Sequence, residues 1–562
     1  MRKEIKKYKL LWALLIAFSS VISVRGQNGG LPAGSLRVFT DRNLYISGEP
    51  VRISGFILSD FGPDLSEGSK VIYHELIRPD GTSISAGKFP VVHSFSEACL
   101  IIPEETISGY YYLKSYTKWM RNGKPEDYSF ILLKIINPFS SEVLKNDEEN
   151  ASISKNQIQA DSSRFLLNSG KTSYLAGEEV RISVKKLDNK ADLRICLSVV
   201  PEGTAGETEI FSADKPENVY DPDSIFYVPE TRGISLTGRL AGDTGGAPVP
   251  NALVNLSVIG DKDVMAIRTD SSGRFFFALP EYFGNRDLFL CAEDRQGSNS
   301  LIYIDNDFCT KPVSLPSPVF QLSSEEKEIA LKMAVNEQIT KYFFPDKFLA
   351  VPDTVVKEVP FYGKPDEVLD MEKFIDLPTI EEYFSELVGA VNVRKFEGRK
   401  VFRFNSPKTE MLIFDPLILI DWVAVDDIER ILAMAPRAIE RIELVNAPYI
   451  KGNITYGGII SFVSRKGDFA GIDLPSSGTF VNYQFFNNNK EYREININNQ
   501  NLPDSRNTIF WDPSININEE GLTSVTLKAP ATPGKYYIII QGIDINSGDY
   551  IYQKKEFKVN GK

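Results

Sequence analysis

The sequence predicts a mainly β chain, several β-sandwiches in series with one α+β unit among them. Three observations carry this. Apolar and polar residues alternate over most of the 562 residues, and Gly, Pro, Asn or Asp turns recur about every 8 to 12 residues. One strand-entry device occurs twice, as Leu44-Tyr45-Ile-Ser-Gly48-Glu49-Pro-Val51 and as Tyr174-Leu-Ala-Gly177-Glu178-Glu-Val180. Helical spacing takes over only in the region from 320 to 395, just ahead of a stretch that mixes short strands and helices.

Residues 1–26 open with Arg2, Lys3, Lys6, Lys7 and Lys9, and an apolar run from Leu10 to Val24 follows. Such a run is short for a bilayer core of ~30 Å and fits a cleaved signal peptide, so the chain is expected to be exported to the periplasm, the outer membrane or the cell surface. No cysteine near the cleavage site suggests a lipoprotein anchor, and no later apolar stretch is long enough for a transmembrane segment in the mature chain.

The formal net charge is −12, and the leader, with six basic residues against one acidic, makes the remainder more negative still. An acidic chain without an interrupting Lys/Arg cluster repels phosphate backbones, which excludes nucleic acid as a partner. The four cysteines, Cys99, Cys196, Cys291 and Cys309, are too few for a disulfide framework. Cys291 and Cys309 share one segment and admit a bridge in an oxidising compartment; the alternative is four small buried hydrophobes.

Taken in order, the first sandwich spans 36–137. Its strand Leu36-Arg-Val-Phe-Thr40 leads to Tyr45, which packs, and to Gly48, which allows a turn of positive φ. A second sandwich, 160–230, repeats the device at Tyr174 and Gly177. A third, 234–308, alternates through Ile234-Ser-Leu-Thr-Gly-Arg-Leu240 and Thr269-Asp-Ser-Ser-Gly-Arg-Phe-Phe276. Residues 320–395 form a helical linker region with one helix from Ser324, its expected cap, to Tyr342 and another over Pro378–Leu387. Residues 396–468 make the α+β unit. A last sandwich, 473–560, repeats a strand, Pro-turn and Gly-x-Tyr entry seen first at Ala98–Leu113, and its Trp511 is expected to be a buried anchor.

Residues 36–137 resemble macroglobulin-like domains of the alpha-2-macroglobulin family, whose entry motif is similar to Thr40-Asp-Arg-x-x-Tyr45-x-x-Gly48-Glu49; 163–200 and 505–559 resemble them less. That resemblance implies immunoglobulin-like sandwiches. It does not imply a covalent protease trap, because no cysteine here begins a Cys-Gly-Glu-Gln thioester. Residues 234–308 resemble a carboxypeptidase-regulatory-like domain, a transthyretin-like β-sandwich, of the kind found in Bacteroidetes-type bacteria ahead of a receptor plug. Pro416-Leu-Ile-Leu-Ile-Asp-Trp-Val423, Ile439-Glu-Arg-Ile-Glu-Leu-Val445 and Tyr456-Gly-Gly-Ile-Ile-Ser-Phe-Val-Ser464 resemble the plug domain of a TonB-dependent outer-membrane receptor. Such a receptor needs a barrel of some 22 strands. The residues after Gly467 are too few to supply one, so the expectation is a plug-like unit without a barrel.

Chemistry-bearing groups are sparse. His74 and His93 are the two histidines, and no nucleophile elbow or phosphate loop occurs, so no enzyme activity is expected, and no catalytic residue, cofactor or metal is assigned. The Asp544-Ile-Asn-Ser-Gly-Asp549 loop reads as a hairpin turn ahead of a calcium loop. Four residues stand out for partner binding. Tyr110, Tyr112 and Tyr116 share one strand face, which is either an intersheet face or a binding stripe. Trp422 stands where the resembling plugs mostly have Gly, and is either packed or exposed to a partner or sugar ring. The expected function is non-enzymatic binding or scaffolding in a Gram-negative cell envelope, through contacts with another envelope protein. The alternative is an accessory of a TonB-dependent uptake system that docks to an outer-membrane barrel from another chain. Carbohydrate as a ligand has no further support.

Overall fold

A computed structural model of the protein describes residues 31–32, 34–58, 68–145, 154–155, 164–188, 191–205, 209–212, 219–242, 246–292, 300–343, 359–396, 398–406, 408–474, 478–488, 503–517 and 521–561. The signal-peptide reading lies outside the described residues. The protein is mainly β, built as sandwiches with one α+β unit, as the alternation requires.

The first sandwich packs the sheet Ser35–Thr40, Pro50–Leu58 and Phe95–Ile101 against a larger one. That larger sheet is ordered Ser154–Lys155, Ile210–Ser212, Ser129–Ile136, Gly109–Tyr116, Val71–Ile77 and Ser83–Pro90, with Leu44–Ile46 added in parallel to Ser129–Ile136. Its apolar core does not stop at the module boundary. Buried side chains run without a break from Val38, Ile53 and Ile72 into Leu236, Val254 and Leu290 of the third sandwich.

The second sandwich corrects the serial order. Phe165–Asn168 and Glu179–Lys186 form a sheet with Leu522–Lys528, and Leu193–Pro201 lies between Phe510–Ile515 and Gly534–Asp544. The segments 160–230 and 473–560 are therefore not two sandwiches. The strands of 164–201 close on those of 510–560 around one core that includes Val180, Ile195, Val199, Leu527, Ile538 and Phe557. A strand with one apolar face gives no sign of whether its partner is near or far in sequence, since period-two alternation specifies a face only.

The third sandwich pairs Ser235–Gly242 with Arg274–Ala278 and Ser300–Ile304, facing Leu253–Val258, Asp263–Arg268 and Asn285–Ala292. Thr479–Gln484 returns from the far side of the α+β unit and pairs along Asn285–Ala292, with Leu290 opposite Thr479. The chain is thus nested. The α+β unit is inserted into the third sandwich, and that whole assembly is inserted into the second.

Helix α1, Ser324–Phe343, is a strut and not a linker. Its stripe Ala330, Met333, Ala334, Glu337 and Thr340 is buried at helical spacing, and Leu44, Ile46 and Ile136 of the first sandwich cover its apolar part. The cap is Ser323, one residue before the expected Ser324: Ser323 Oγ accepts from the Glu326 N–H (3.1 Å), and Glu326 accepts from the Ser323 N–H (2.9 Å).

The α+β unit begins earlier than 396. Strand Glu367–Asp370 joins the sheet through Ile439–Val445, followed by Ile459–Ser464, Leu417–Ile420 and Val423–Ala424. Helix α2, Ile380–Glu386, is capped by Thr379 and buries Ile380, Tyr383 and Phe384 in the same core as Ile418, Ile420, Ile442, Ile460 and Phe462. The opposite sheet face, with Leu417, Leu419 and Ile459, packs on Leu253, Val264 and Ala266 of the third sandwich. Alternation along Leu417–Ile420 thus serves two different cores.

Candidate interaction surface

The aromatic stripe is not a free surface. Tyr112 and Tyr116 are fully buried and Tyr110 half-buried. Tyr116 stacks between Tyr73 and Tyr128, donates to Glu75 (2.7 Å) and accepts from the Cys309 N–H (2.7 Å). Tyr112 donates to the Pro316 carbonyl (2.6 Å), and Tyr110 meets Phe320 edge-on. The stripe is covered by the chain's own 309–320 segment, so the partner-binding reading of these three tyrosines is corrected.

Trp422 takes the packed alternative. Asp421 and Trp422 form the two-residue loop between Leu417–Ile420 and Val423–Ala424, with φ of 46° and 62°. Both positive values mark the turn type for which Asn-Gly or Asp-Gly is preferred. The conformation is held from outside the turn: Asp421 accepts from the Ser464 N–H (2.7 Å), the Ser464 hydroxyl (2.7 Å) and the Phe469 N–H (2.9 Å). Trp422 is half-buried at the seam with the third sandwich, with Lys262 Nζ 4.9 Å from its ring. Its contact is therefore internal.

Asp544 of the acidic hairpin loop and His74 likewise face inward, whereas His93 is exposed. Arg164 pairs with Asp544 and reaches Asp549 (2.6 Å), so a guanidinium sits where the calcium reading needed a cation. His74 is fully buried beside Ser115 (2.7 Å), and burial lowers its pKa to about 3. All four cysteines are free thiols; Cys291 lies at the α+β unit near the Ala424 carbonyl, whereas Cys309 meets Tyr128 of the first sandwich. The bridge is thereby corrected.

Sequence reasoning missed two polar joints, both buried. In one, the Asp307 carboxylate takes Lys88 (2.5 Å) and Lys118 (2.8 Å) of the first sandwich, and Tyr483 donates to it. Glu230 faces Lys118 at 3.5 Å and accepts from Tyr73 (2.9 Å) and from Ser235. Burial opposes ionisation of Asp307, yet the two lysines hold it well below the usual carboxylate range. Lys118 is held protonated against burial by Asp307 and Glu230, while burial pulls Lys88 down.

In the other joint, the buried Arg42 pairs with Glu49 (2.8 Å) and Asp41 (3.6 Å) and donates to Thr508 (3.1 Å), and Asn507 donates to Glu49. Arg42 and Glu49 belong to the Thr40–Glu49 entry motif, whose second half is the repeated device. Its second copy has the same internal bonds, with the Leu175 N–H on Glu178 (2.9 Å) as the Ile46 N–H is on Glu49 (2.8 Å), and a Lys171–Glu178 pair in place of Arg42–Glu49. That second pair lies at the surface.

Two exposed features remain. A cleft of about 470 Å³ between the first sandwich and the 314–317 segment is lined by Arg78, Asp80, Glu142 and Lys145 with apolar walls from Ile107 and Leu315. The other is the hairpin Val391–Phe396/Arg399–Phe404 of the α+β unit. Its base is packed through Val391, Phe402 and Phe404, and its outer half, Arg394, Lys395, Phe396 and Arg399, is exposed. Cross-strand pairing puts Lys395 opposite Lys400. Lys400 is matched by Glu381 (2.7 Å) and Arg403 by Asp415; among the described residues Arg394, Lys395 and Arg399 have no carboxylate partner. The expectation that no basic cluster interrupts the acidic charge is corrected here. The dibasic steps Arg394-Lys395 and Arg399-Lys400, five positions apart in sequence, are brought side by side when the strands pair.

Comparison with known proteins finds no matching family model and no matching curated protein. Among solved structures, a Salmonella alpha-2-macroglobulin mutant is similar at 10% identity and a TM-score of 0.22, over 94% of this chain and 40% of that one. The native E. coli alpha-2-macroglobulin gives 10% identity and 0.23, over 95% and 40%. Dimeric latent PorU from Porphyromonas gingivalis gives 11% and 0.17, over 49% and 34%. The chain spans about two fifths of the length of the macroglobulins, and the likeness concerns their β-rich fold alone. No helix among the described residues is long and apolar enough to cross a membrane.

Proposed function

We propose that this protein is a non-enzymatic scaffold of a Gram-negative cell envelope that holds its inserted α+β unit in a fixed setting for contact with another envelope protein. One observation carries the reading. The unit is anchored at both chain ends in the third sandwich and on one sheet face by Leu253, Val264 and Ala266, while buried ion pairs lock that sandwich to the first. A joint made of buried charges fixes one relative placement, because any shift leaves a charge unpaired out of water. A carrier of this kind suits presentation of a surface better than a hinge-closing reaction. The resemblance of 416–464 to receptor plugs belongs to the same proposal. A barrel from another chain is the weaker reading, since the Leu419 face of the sheet is already covered.

In vivo photo-crosslinking from exposed positions of the α+β unit in the full chain, followed by purification, tests the proposal. The expected result is one reproducible envelope protein. Recovery of none, with the protein free in the periplasm, overturns it.

A further inference from the structure

We infer that the cleft between the first sandwich and the 314–317 segment binds an extended peptide that carries a carboxylate beside an apolar side chain. Its volume of about 470 Å³ lies in the usual range of ligand sites, ~300–1,000 Å³. The site belongs to the first sandwich and not to the α+β unit, so it goes beyond the scaffold reading.

Two features of the cleft specify what it takes. The first is an open strand edge. Ser108 donates its N–H to the Glu142 carbonyl (3.2 Å) and accepts from the Leu144 N–H (2.8 Å), the bonding of a parallel bridge to Val143. In that pattern the bracketed residue turns its own N–H and C=O away from the bridge. Among the described residues nothing pairs with those two groups of Val143, which lines the cleft and is 46% exposed. The facing wall, Ser314-Leu-Pro-Ser317, is a poor strand partner, because Pro316 has no N–H and its carbonyl is taken by Tyr112 (2.6 Å).

The second feature is the Arg78 side chain. A turn fixes its backbone, with the Arg78 N–H on the Thr82 carbonyl (2.9 Å) and the Gly81 N–H on the Arg78 carbonyl (2.9 Å). The Arg78 Nε is buried and has no hydrogen-bond partner among the described residues. A buried guanidinium N–H without an acceptor is costly, and a carboxylate presented by a ligand removes that cost. Asp80 and Glu142 line the same cleft, which disfavours phosphate or another multiply charged anion against a single carboxylate. Bonding along Val143 selects a polypeptide backbone over a fatty acid, and Ile107 and Leu315 supply the apolar contact.

The test pans the full chain against a hexapeptide library with free carboxyl termini and then measures the most enriched peptide by fluorescence polarisation. The expected consensus places an acidic residue or the terminal carboxylate next to Leu, Ile, Val or Phe. Arg78→Gln should weaken that peptide about tenfold or more, the loss of one charge-assisted hydrogen bond. Val143→Pro removes the N–H on the open side, keeps both bonds to Ser108 and should weaken it roughly fivefold; thermal melts matching the parent show that the fold is kept. Methylating the peptide at each amide nitrogen in turn needs no variant, and at least one position should lose binding about tenfold. No enriched consensus, a consensus without a carboxylate, equal binding by Arg78→Gln, or tolerance of methylation at every amide overturns the inference. Competition by decanoate as strong as by the peptide does so too, and assigns the cleft to a fatty acid. Crosslinking from the α+β unit is unaffected by any of these outcomes.

Discussion

His74 and Asp307 show how single buried groups set the response to acid. The His74 imidazole is held neutral by burial down to about pH 3, whereas an unfolded chain protonates it near 6.5. Between those values the unfolded state binds the extra proton, so stability falls as pH drops from 6.5 towards 3. Replacing His74 by Phe, beside Phe89, should flatten that part of a stability-against-pH curve measured by urea unfolding. Asp307 acts in a lower window. Its depressed folded pKa contributes stability above the unfolded value near 3.9 and loses it as the pH falls further. Asp307→Asn should cost about 3–5 kcal/mol at neutral pH, because Lys88 and Lys118 lose their shared carboxylate while buried. A urea midpoint equal to the parent's would show that water reaches the joint.

Among elements, the twice-used entry device separates local geometry from context. Gly48 and Gly177, with φ of 88° and 78°, make the same turn, and each following glutamate caps the same backbone N–H. Only the first copy is enclosed by Asn507, Thr508 and α1. Glu49→Gln should therefore cost about 1–3 kcal/mol, because the buried Arg42 loses its nearer carboxylate and keeps only Asp41 at 3.6 Å, whereas Glu178→Gln should leave the melting temperature unchanged within error. Equal effects would mean that the turn itself, and not its burial, carries the energy. The repeat was legible in the sequence because backbone geometry constrains residue type locally. The enclosure was not, since Asn507 carries no local sign that it closes over Glu49. The same limit explains the tyrosines: the face shared by Tyr112 and Tyr116 follows from alternation, but its cover, Cys309 to Phe320, is a coil with no periodicity. The α+β mixture around Leu417–Ser464 and the depth of Trp511, 6% exposed between Phe39, Phe56 and Ile543, were readable from apolar spacing.

Across the molecule, nesting turns the final residues into a structural requirement for strands laid down much earlier. A chain ending at residue 502 lacks the partners of Leu193–Pro201 and Glu179–Lys186. It should be recovered insoluble or with 164–201 open to protease, while the first sandwich, whose strands lie within the retained part, stays protected. A protease-resistant 164–201 in that truncated chain would show that the half-sandwich folds alone. Likewise, an excised fragment from 376 to 467 loses Glu367–Asp370 and bares Leu417, Leu419 and Ile459, so it should not give the cooperative thermal melt of an independent domain.

Val199 meets Phe510 about 300 residues after it is made, which at 5–20 residues per second is roughly 15 to 60 seconds of synthesis. Through that interval Leu193–Pro201 offers both of its edges, with Ile195, Leu197 and Val199 uncovered, as a template for any other newly made strand. Time on the ribosome therefore becomes a hazard that the finished fold does not display. Cells that make this protein must shield the early half, or keep the whole chain unfolded until its last strand has been delivered.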